Sequence, residues 1–309
     1  MQVYRKKWLI GRNKAIQKEI DTLDAQADHV RIVHLMACYE FPWDLSRALE
    51  IALFRTFSSP SIARLLDKTH QFAQHGQKRY DDTGILIGEF VQQGYDSEIG
   101  QRAIAQMNKI HSFYTIPNED YLYVLSTFVL DPITWLSQYG WRPLSPKEQD
   151  ALFYFFKEVG HRMGLQQIPE TLTALRTFAQ HYEARYCYFD PANQRVANAT
   201  VAIVAGWYPK WVRFAIKPIV CAMIDEPMRQ AFGYPPAQSW LSNTLRFVLK
   251  VRKNIVRYIN LENSPALLAK AHIRSYPSQA YQIETLGPTH LVKKINGTAD
   301  TSSPANNSY

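Results

Sequence analysis

Three polar side chains within one predicted helix are spaced so that they can act together. Arg79, Asp82 and Thr83 stand at positions i, i+3 and i+4, which share one face of a helix. Residues 85–91 are mostly apolar, so this helix is predicted to run inward. A buried charge without a partner is strongly unfavourable. The three side chains are therefore expected either to satisfy one another or to surround a bound polar group.

Two histidines lie inside helices with a strong apolar pattern, and both are candidate ligands. His111 follows Met107 and Ile110, and His161 closes a Glu-x-x-His motif that begins at Glu158. For each of them a hydrogen-bonded core histidine is the alternative. Glu-x-x-His also occurs in carboxylate-bridged di-iron sites, but these need a second copy and two further glutamates. The sequence contains no second copy, so the di-iron interpretation lacks most of its ligands.

A haem site makes smaller demands on a sequence: an axial histidine on a helix, an apolar pocket and donors for the propionates. His111 can supply the axial nitrogen. Arg79 can donate to a propionate or to dioxygen, and Thr83 can donate a hydrogen bond. Asp82 can accept or relay a proton. A purely structural ion pair between Arg79 and Asp82 is the alternative. Covalent attachment is excluded, because no Cys-x-x-Cys-His motif occurs.

The elements that must position these side chains are helices. Apolar residues recur at helical spacing along most of the chain, and two-residue alternation is almost absent, which predicts an all-α fold. Ser145 and Glu148 form a capping-box signature at the start of one helix, and Gly94 is predicted to end another. Asp131-Pro132 is expected to kink or interrupt the long apolar helix that contains it.

Composition divides the chain into three parts and restricts its partners. We predict a polar N-terminal helix or arm over 1–30, a main helical domain over 31–262, and a C-terminal extension over 263–309 that is disordered from about 296. The net charge of +8 and the pI of about 9.2 favour anionic partners. No recognisable nucleic-acid-binding motif accompanies this charge, so nucleic acid is not expected as a partner.

Neither a signal peptide nor an uncharged apolar run of the ~18 residues that span a membrane is found. We therefore expect a cytoplasmic protein or one that lies at a membrane surface. Residues 200–224 combine aromatic and basic side chains and are the candidate contact, with a buried helix pair as the alternative. Residues 240–261 are predicted to form a basic amphipathic helix, a pattern that is more typical of a solvated surface helix than of a membrane-binding one. Three widely separated cysteines fit a reducing compartment.

The order of several motifs resembles the MpaB and latex-clearing-protein (rubber oxygenase) superfamily of haem-dependent oxygenases, and the MpaB branch more closely. The motifs run from about residue 40 to 235, and their order together carries the resemblance. They are Glu40-Phe41-Pro42-Trp43, Ser59-Pro60-Ser61, Lys78-Arg79-Tyr80-Asp81-Asp82-Thr83, Met107-Asn108-Lys109-Ile110-His111, Tyr139-Gly140-Trp141-Arg142 and Val159-Gly160-His161-Arg162-Met163-Gly164.

The resemblance implies a globin-like helical domain around non-covalent haem b. His111 matches the proximal iron ligand, and Arg79 and Thr83 match residues of the distal face. Asp82 stands where rubber oxygenases carry a lysine, which argues for a water or an open sixth position and against rubber as the substrate. His161 belongs to another family motif; it is expected near the cofactor, or as the axial ligand in place of His111.

The resemblance also implies an activity. We expect a haem b-dependent oxygenase that cleaves a carbon–carbon double bond of a hydrophobic, isoprenoid or lipid-like substrate with dioxygen. Arg79 and Thr83 would orient the oxygen, and Asp82 would assist proton movement. A non-catalytic haem or lipid carrier at the membrane surface and a di-iron carboxylate oxygenase are the alternatives.

Overall fold

The computed structural model describes residues 14–258, 273–277 and 281–300 of the 309. These residues form fourteen α-helices and contain no strand, which confirms the all-α prediction. The helices are α1 Lys14–Thr22, α2 His29–Leu35, α3 Pro42–Thr56, α4 Pro60–Lys68, α5 Gln71–Gln93, α6 Glu98–His111, α7 Asn118–Tyr139, α8 Pro146–Arg162, α9 Leu172–Tyr186, α10 Pro191–Gly206, α11 Arg213–Met223, α12 Glu226–Ala231, α13 Ser239–Tyr258 and α14 Thr289–Asp300. A π-helical turn, Met36–Glu40, joins α2 to α3, and short 3-10 turns, Lys210–Val212 and Ile283–Thr285, precede α11 and α14.

Local sequence signals set several helix ends. The Ser145 hydroxyl accepts a hydrogen bond from the Glu148 N–H, and the Glu148 carboxylate accepts one from the Ser145 N–H, which completes the predicted capping box of α8. Ser97 caps α6 in the same way, accepting from the Gly100 N–H at 3.0 Å. Gly94 ends α5 at a φ of +86°, a conformation that favours glycine.

The long helix α7 lies at the centre of the main apolar core. It packs against α3, α8 and α9 and is buried along most of its length. Pro132 removes one backbone donor within α7, yet the helix is not interrupted there. Contacts on several sides hold it, and Arg55 of α3 binds Asp131, the residue before the proline, at 2.9 Å. The predicted interruption therefore does not occur.

A smaller apolar core lies beside the first and joins the end of α3 to the later helices. Phe54 of α3 and Phe57, which follows the end of that helix, pack there with Val196 of α10, Phe232 and Tyr234. This arrangement draws α10 and α11 over one side of α5, so that the later half of the chain closes the space between α3 and α5.

Segments near both ends of the described residues pack on the main core, and the predicted domain limits stay a prediction. Ile16 and Ile20 of α1 belong to the main core, as do Ile283 and Leu286 near the C-terminus. Helix α14 runs to Asp300, beyond the predicted onset of disorder at about 296. Residues 1–13, 259–272, 278–280 and 301–309 lie outside the described part of the chain, and the predictions for those positions fall there as well.

Helix α13 confirms the predicted basic helix over its described length. The segment 200–224 is divided between α10, a 3-10 turn and α11, with Pro218 inside α11. Among the described residues, no helix has the length and apolar character needed to cross a bilayer.

Candidate functional site

A large cavity lies between α3, α4, α5, α6, α7, α8, α10 and α11. Its volume is about 1460 Å³, which exceeds the 300–1,000 Å³ of a typical small-ligand pocket. Most of its wall is apolar. Representative lining residues are Leu53, Phe57, Leu65, Ile87, Phe90, Met107, Val124, Phe128, Phe156, Val204 and Val220. The cavity therefore has room for a large apolar group, or for such a group together with a second hydrophobic ligand.

Helix α5 places Arg79 on the wall of this cavity. The helix bends at His75, whose φ of −133° and ψ of 32° are not helical, and then continues inward through residues 85–92. Arg79 is partly buried, and its guanidinium has no hydrogen bond or ion pair with any residue that the structure describes. Burial lowers the pKa of Arg79, and the charge of Asp82 acts against that change. An arginine stays protonated under such a shift, so a positive charge faces the cavity.

His111, the last residue of α6, faces the same cavity. Its Nδ1 is buried without a hydrogen-bond partner, and its ring packs edge-on against Tyr121 with ring centres 5.5 Å apart. Burial, and then the charge of Arg79, lower the pKa of His111 to about 4. The imidazole is therefore neutral at physiological pH, which is the form that binds a metal. Arg79 and His111 thus line the same cavity.

Thr83 lines the cavity one turn beyond Arg79. Its hydroxyl donates to the Arg79 carbonyl oxygen at 2.9 Å, a bond that threonines commonly make within helices. The hydroxyl oxygen keeps its acceptor capacity toward the cavity, but the donor role predicted for Thr83 requires that this backbone bond be given up.

Asp82 lies outside the cavity lining, contrary to the shared face predicted from its spacing. Its carboxylate is fully buried and accepts from Lys78 Nζ at 2.6 Å, from Tyr276 Oη at 2.7 Å and from the Gly287 N–H at 2.9 Å. At about 100° per residue, positions i+3 and i+4 lie on opposite sides of position i and about 100° apart. Thr83 therefore points into the cavity while Asp82 points to the C-terminal segment.

His161 does not join His111. It is exposed near the end of α8 and outside the cavity lining, although its neighbours Gly160 and Met163 contribute to that lining. Glu158, the other half of the motif, is bound to Arg162 at 2.8 Å. Nowhere in the described ranges do three histidine, cysteine, aspartate or glutamate side chains gather as a metal cluster. His161 thus lies on the outside of α8, apart from the cavity that His111 lines, and its role toward a cofactor stays a prediction.

A second polar group on the cavity wall escaped the sequence analysis. Tyr80 of α5 donates a hydrogen bond to Glu50 of α3, and Arg47 binds the same carboxylate at 2.6 Å. Burial raises the pKa of Glu50, and burial and the Glu50 charge raise that of Tyr80. Trp207 packs edge-on against the Tyr80 ring at 5.1 Å. Glu50 and Tyr80 are thirty residues apart, and no spacing rule links them; the only signal was the position of Tyr80 beside Arg79.

Comparison with known proteins identifies one matching family model and several similar proteins. Residues 48–252 match the family model described as ER-bound oxygenase mpaB/B'/Rubber oxygenase, catalytic domain. ER-bound oxygenase mpaB' of Penicillium brevicompactum is 32% identical over 263 residues, which cover 79% of this chain and 62% of that protein. ER-bound oxygenase mpaB of Penicillium roqueforti is 32% identical over 213 residues, covering 63% of this chain and 72% of that protein. ER-bound oxygenase mpaB of Penicillium brevicompactum is 30% identical over 263 residues, 79% of this chain and 60% of that protein.

Proposed function

The chain belongs to the mpaB/B' and rubber oxygenase catalytic-domain family, and from that premise we propose that it is a haem b-dependent oxygenase of a hydrophobic substrate. One observation supports this proposal above the others. A neutral histidine and an arginine without a partner among the described residues face the same large apolar cavity. Arg79, Thr83 and His111 all lie within residues 48–252 that match the family.

The residues on the cavity wall fit haem b. A porphyrin is large and apolar, and it needs a nitrogen ligand for the iron and cations for its propionates. The cavity supplies the volume, and His111 supplies a ring whose buried Nδ1 makes no hydrogen bond among the described residues. Arg47, Arg79 and Arg274 supply positive charge on the lining. We propose that His111 binds the iron and that haem is held without covalent attachment.

The chain's own side chains would complete the site. A bound haem supplies the redox chemistry with dioxygen. Arg79 presents N–H donors and a fixed positive charge to an oxygen atom on which negative charge develops; one such donor is worth about 3–4 kcal/mol of barrier in other enzymes. Thr83 offers a hydroxyl beside it. The Tyr80–Glu50 pair holds a proton at the same wall. Asp82 has no part in this scheme, because its oxygens are engaged away from the cavity.

The substrate is expected to be an isoprenoid or another lipid-like alkene. The apolar wall excludes water and stabilises long hydrocarbon groups through burial. The reaction proposed from the family is oxidative cleavage of a carbon–carbon double bond by dioxygen. The relatives are named ER-bound, and we propose that this chain likewise contacts a membrane, from its surface.

A non-catalytic carrier of haem or lipid is the second candidate, and the same cavity favours it. A wall of this size and polarity would hold a lipid without any chemistry. The carrier and the oxygenase differ in one measurement: only the oxygenase consumes dioxygen in the presence of an alkene substrate.

Haem loading of the purified chain tests the proposal. The wild-type chain should take up about one haem b per chain and show a Soret band, and acidified solvent should extract the haem unchanged. The His111→Ala variant should lose most of this haem, because no second axial nitrogen faces the cavity among the described residues. His161→Ala is the matched control and should keep wild-type haem content.

Two outcomes would contradict this assignment. Normal haem content in His111→Ala would remove His111 as the ligand, and loss of haem only in His161→Ala would transfer the role to His161. Iron bound without a Soret band would overturn haem as the cofactor altogether.

A further inference from the structure

Helix α13 carries an apolar face that no other described part of the chain covers. Trp240, Phe247, Val248, Val251, Ile255 and Tyr258 recur at spacings of three, four and seven residues, and all are exposed; Trp240 and Phe247 are 65% and 66% accessible. This stripe is separate from the buried side of the helix, where Ser242 and Val256 lie. The apolar surface of α13 is thus broader than its contact with the core, and the part that carries the exposed stripe is left uncovered by the described residues.

Helix α11 and the turn before it continue this exposed surface. α11 packs directly against α13. Trp211 and Phe214 are 75% and 82% exposed, among the most accessible large apolar side chains of the described residues. We name the six residues of α13 together with Trp211 and Phe214 the aromatic face.

Positive charge borders the aromatic face. On α13, Arg246, Lys250, Lys253 and Arg257 follow one another at spacings of four, three and four residues, so they form one basic row beside the apolar stripe. Lys210 and Arg213 flank Trp211. No aspartate or glutamate occurs from residue 191 to 224 or from 227 to 261. Exposed aromatic side chains bordered only by positive charge are the pattern of helices that lie in the interface of an anionic bilayer.

The positive charge of this surface also favours an anionic bilayer over a second copy of the chain as its partner. A symmetric contact between two copies of the chain would set each basic row against surfaces of the same sign. Like charges facing each other across an interface are unfavourable. A bilayer with negative headgroups satisfies the basic row and accepts the aromatic side chains at the same time.

The aromatic face also lies next to the cavity. Trp207 and Tyr208, just before the turn, line the cavity, and Tyr208 is exposed as well. α11 contributes Val220 and Met223 to the cavity wall while Phe214 points to solvent. We propose that the aromatic face docks on an anionic lipid bilayer, with the α10–α11 side of the cavity next to the lipid. Docking gives a surface for the membrane contact of the proposed function, but it does not depend on haem or on oxygenase activity. Entry of a hydrophobic substrate from the bilayer does rest on that activity.

Sedimentation of the full chain with lipid vesicles tests the docking. We expect the chain to sediment with vesicles that contain phosphatidylserine, to bind phosphatidylcholine vesicles much more weakly, and to be released as salt is added. The double variant Trp211→Ser, Phe214→Ser should bind the anionic vesicles at least about tenfold more weakly, because two large rings no longer enter the interface.

A matched control lies at the other end of α10. Tyr188 and Phe189 are also exposed, at 54% and 52%, but they precede this 16-residue helix and so lie about 24 Å from its far end. The double variant Tyr188→Ser, Phe189→Ser should therefore bind vesicles like the wild type. A third variant, Lys250→Gln with Lys253→Gln, should lose about fivefold in affinity for anionic vesicles per residue replaced and nothing for neutral ones.

Three results would overturn the proposal: no binding to any vesicle, equal loss in the Tyr188/Phe189 control, or a dimer in solution that Trp211→Ser, Phe214→Ser converts to a monomer. The last would show that a second copy covers the aromatic face. Vesicle binding needs neither haem nor turnover. A chain that binds vesicles but takes up no haem would thus refute the proposed function while leaving the docking intact.

Discussion

Each side of α5 near its bend carries a charged side chain, but only one of these two charges is paired within the described part of the chain. On one side Asp82 is buried and receives three hydrogen bonds, from Lys78, Tyr276 and the Gly287 backbone. On the other side Arg79 faces the cavity and has no polar partner among the described residues. Burial is unfavourable for both charges, but the chain itself compensates only one of them.

This difference separates structural charge from charge that is available to a ligand. The Asp82 side binds the C-terminal segment to α5, and its hydrogen-bonding capacity is used within the fold. On the other side, the guanidinium N–H donors of Arg79 lie at the cavity beside the neutral His111 and stay available to a ligand. If this comparison is correct, substitutions on the two sides should change different measurements.

The largest effect is expected from Asp82→Ala. Its removal leaves the buried Gly287 N–H, the Tyr276 hydroxyl and Lys78 without their common acceptor, so the free energy of unfolding should fall by about 3 kcal/mol. Urea unfolding followed by circular dichroism measures this. Asp82→Asn keeps one acceptor oxygen and should lose less. Haem content per folded chain should stay at the wild-type level; a folded Asp82→Ala chain that has lost only activity would show that Asp82 acts in catalysis after all.

Arg79→Ala should show the opposite pattern. Since Arg79 makes no ion pair with the described residues, the urea midpoint should stay the same or rise slightly, because a desolvated charge has been removed. Dioxygen consumption with a hydrophobic alkene should fall by about 10²–10³-fold, the usual loss on removing one positioned donor. Arg79→Lys keeps the charge but not the planar fork and should recover only part of the rate. A large fall in the urea midpoint of Arg79→Ala would contradict the claim that the charge of Arg79 has no structural partner.

The smallest effect is expected from pH. His111 has a folded-state pKa of about 4, below its value of about 6.5 in an unfolded chain. The unfolded chain thus binds the extra proton between these values, and the His111 contribution to stability decreases as pH falls through that window. For the cofactor-free chain the loss between pH 7 and pH 5 should be about 2 kcal/mol. His111→Gln does not titrate there and should lack this contribution; identical pH profiles for the two chains would mean that His111 is not buried as described.

The helices followed from local chemistry, because their signals act within a few residues. The Ser145–Glu148 capping box and the Gly94 terminus are completed by neighbours in the sequence, and both are confirmed. The interruption expected at Pro132 was wrong because that prediction considered one lost hydrogen bond and not the helices packed around α7.

The candidate site could be predicted only in part. The resemblance paired His111 with Arg79, and the structure places both on one cavity, but their roles toward haem stay predictions. The position of Asp82 depends on Tyr276 and Gly287, which lie about two hundred residues further along the chain and which no periodicity connects to α5. The exposed position of His161 could not be predicted either, since a motif defines neighbours in sequence and not which way a helix end faces.

The contacts of Asp82 also bear on where this chain can be shortened. The family match ends at residue 252, yet the C-terminal partners of Lys78 and Asp82 come from residues 276 and 287. A version of the chain trimmed to the family limits would keep Arg79, Thr83 and His111. It would lose Arg47, Arg274 and the C-terminal residues that bind Asp82 behind α5. The family match and the residues that hold α5 in place thus end at different positions in the chain.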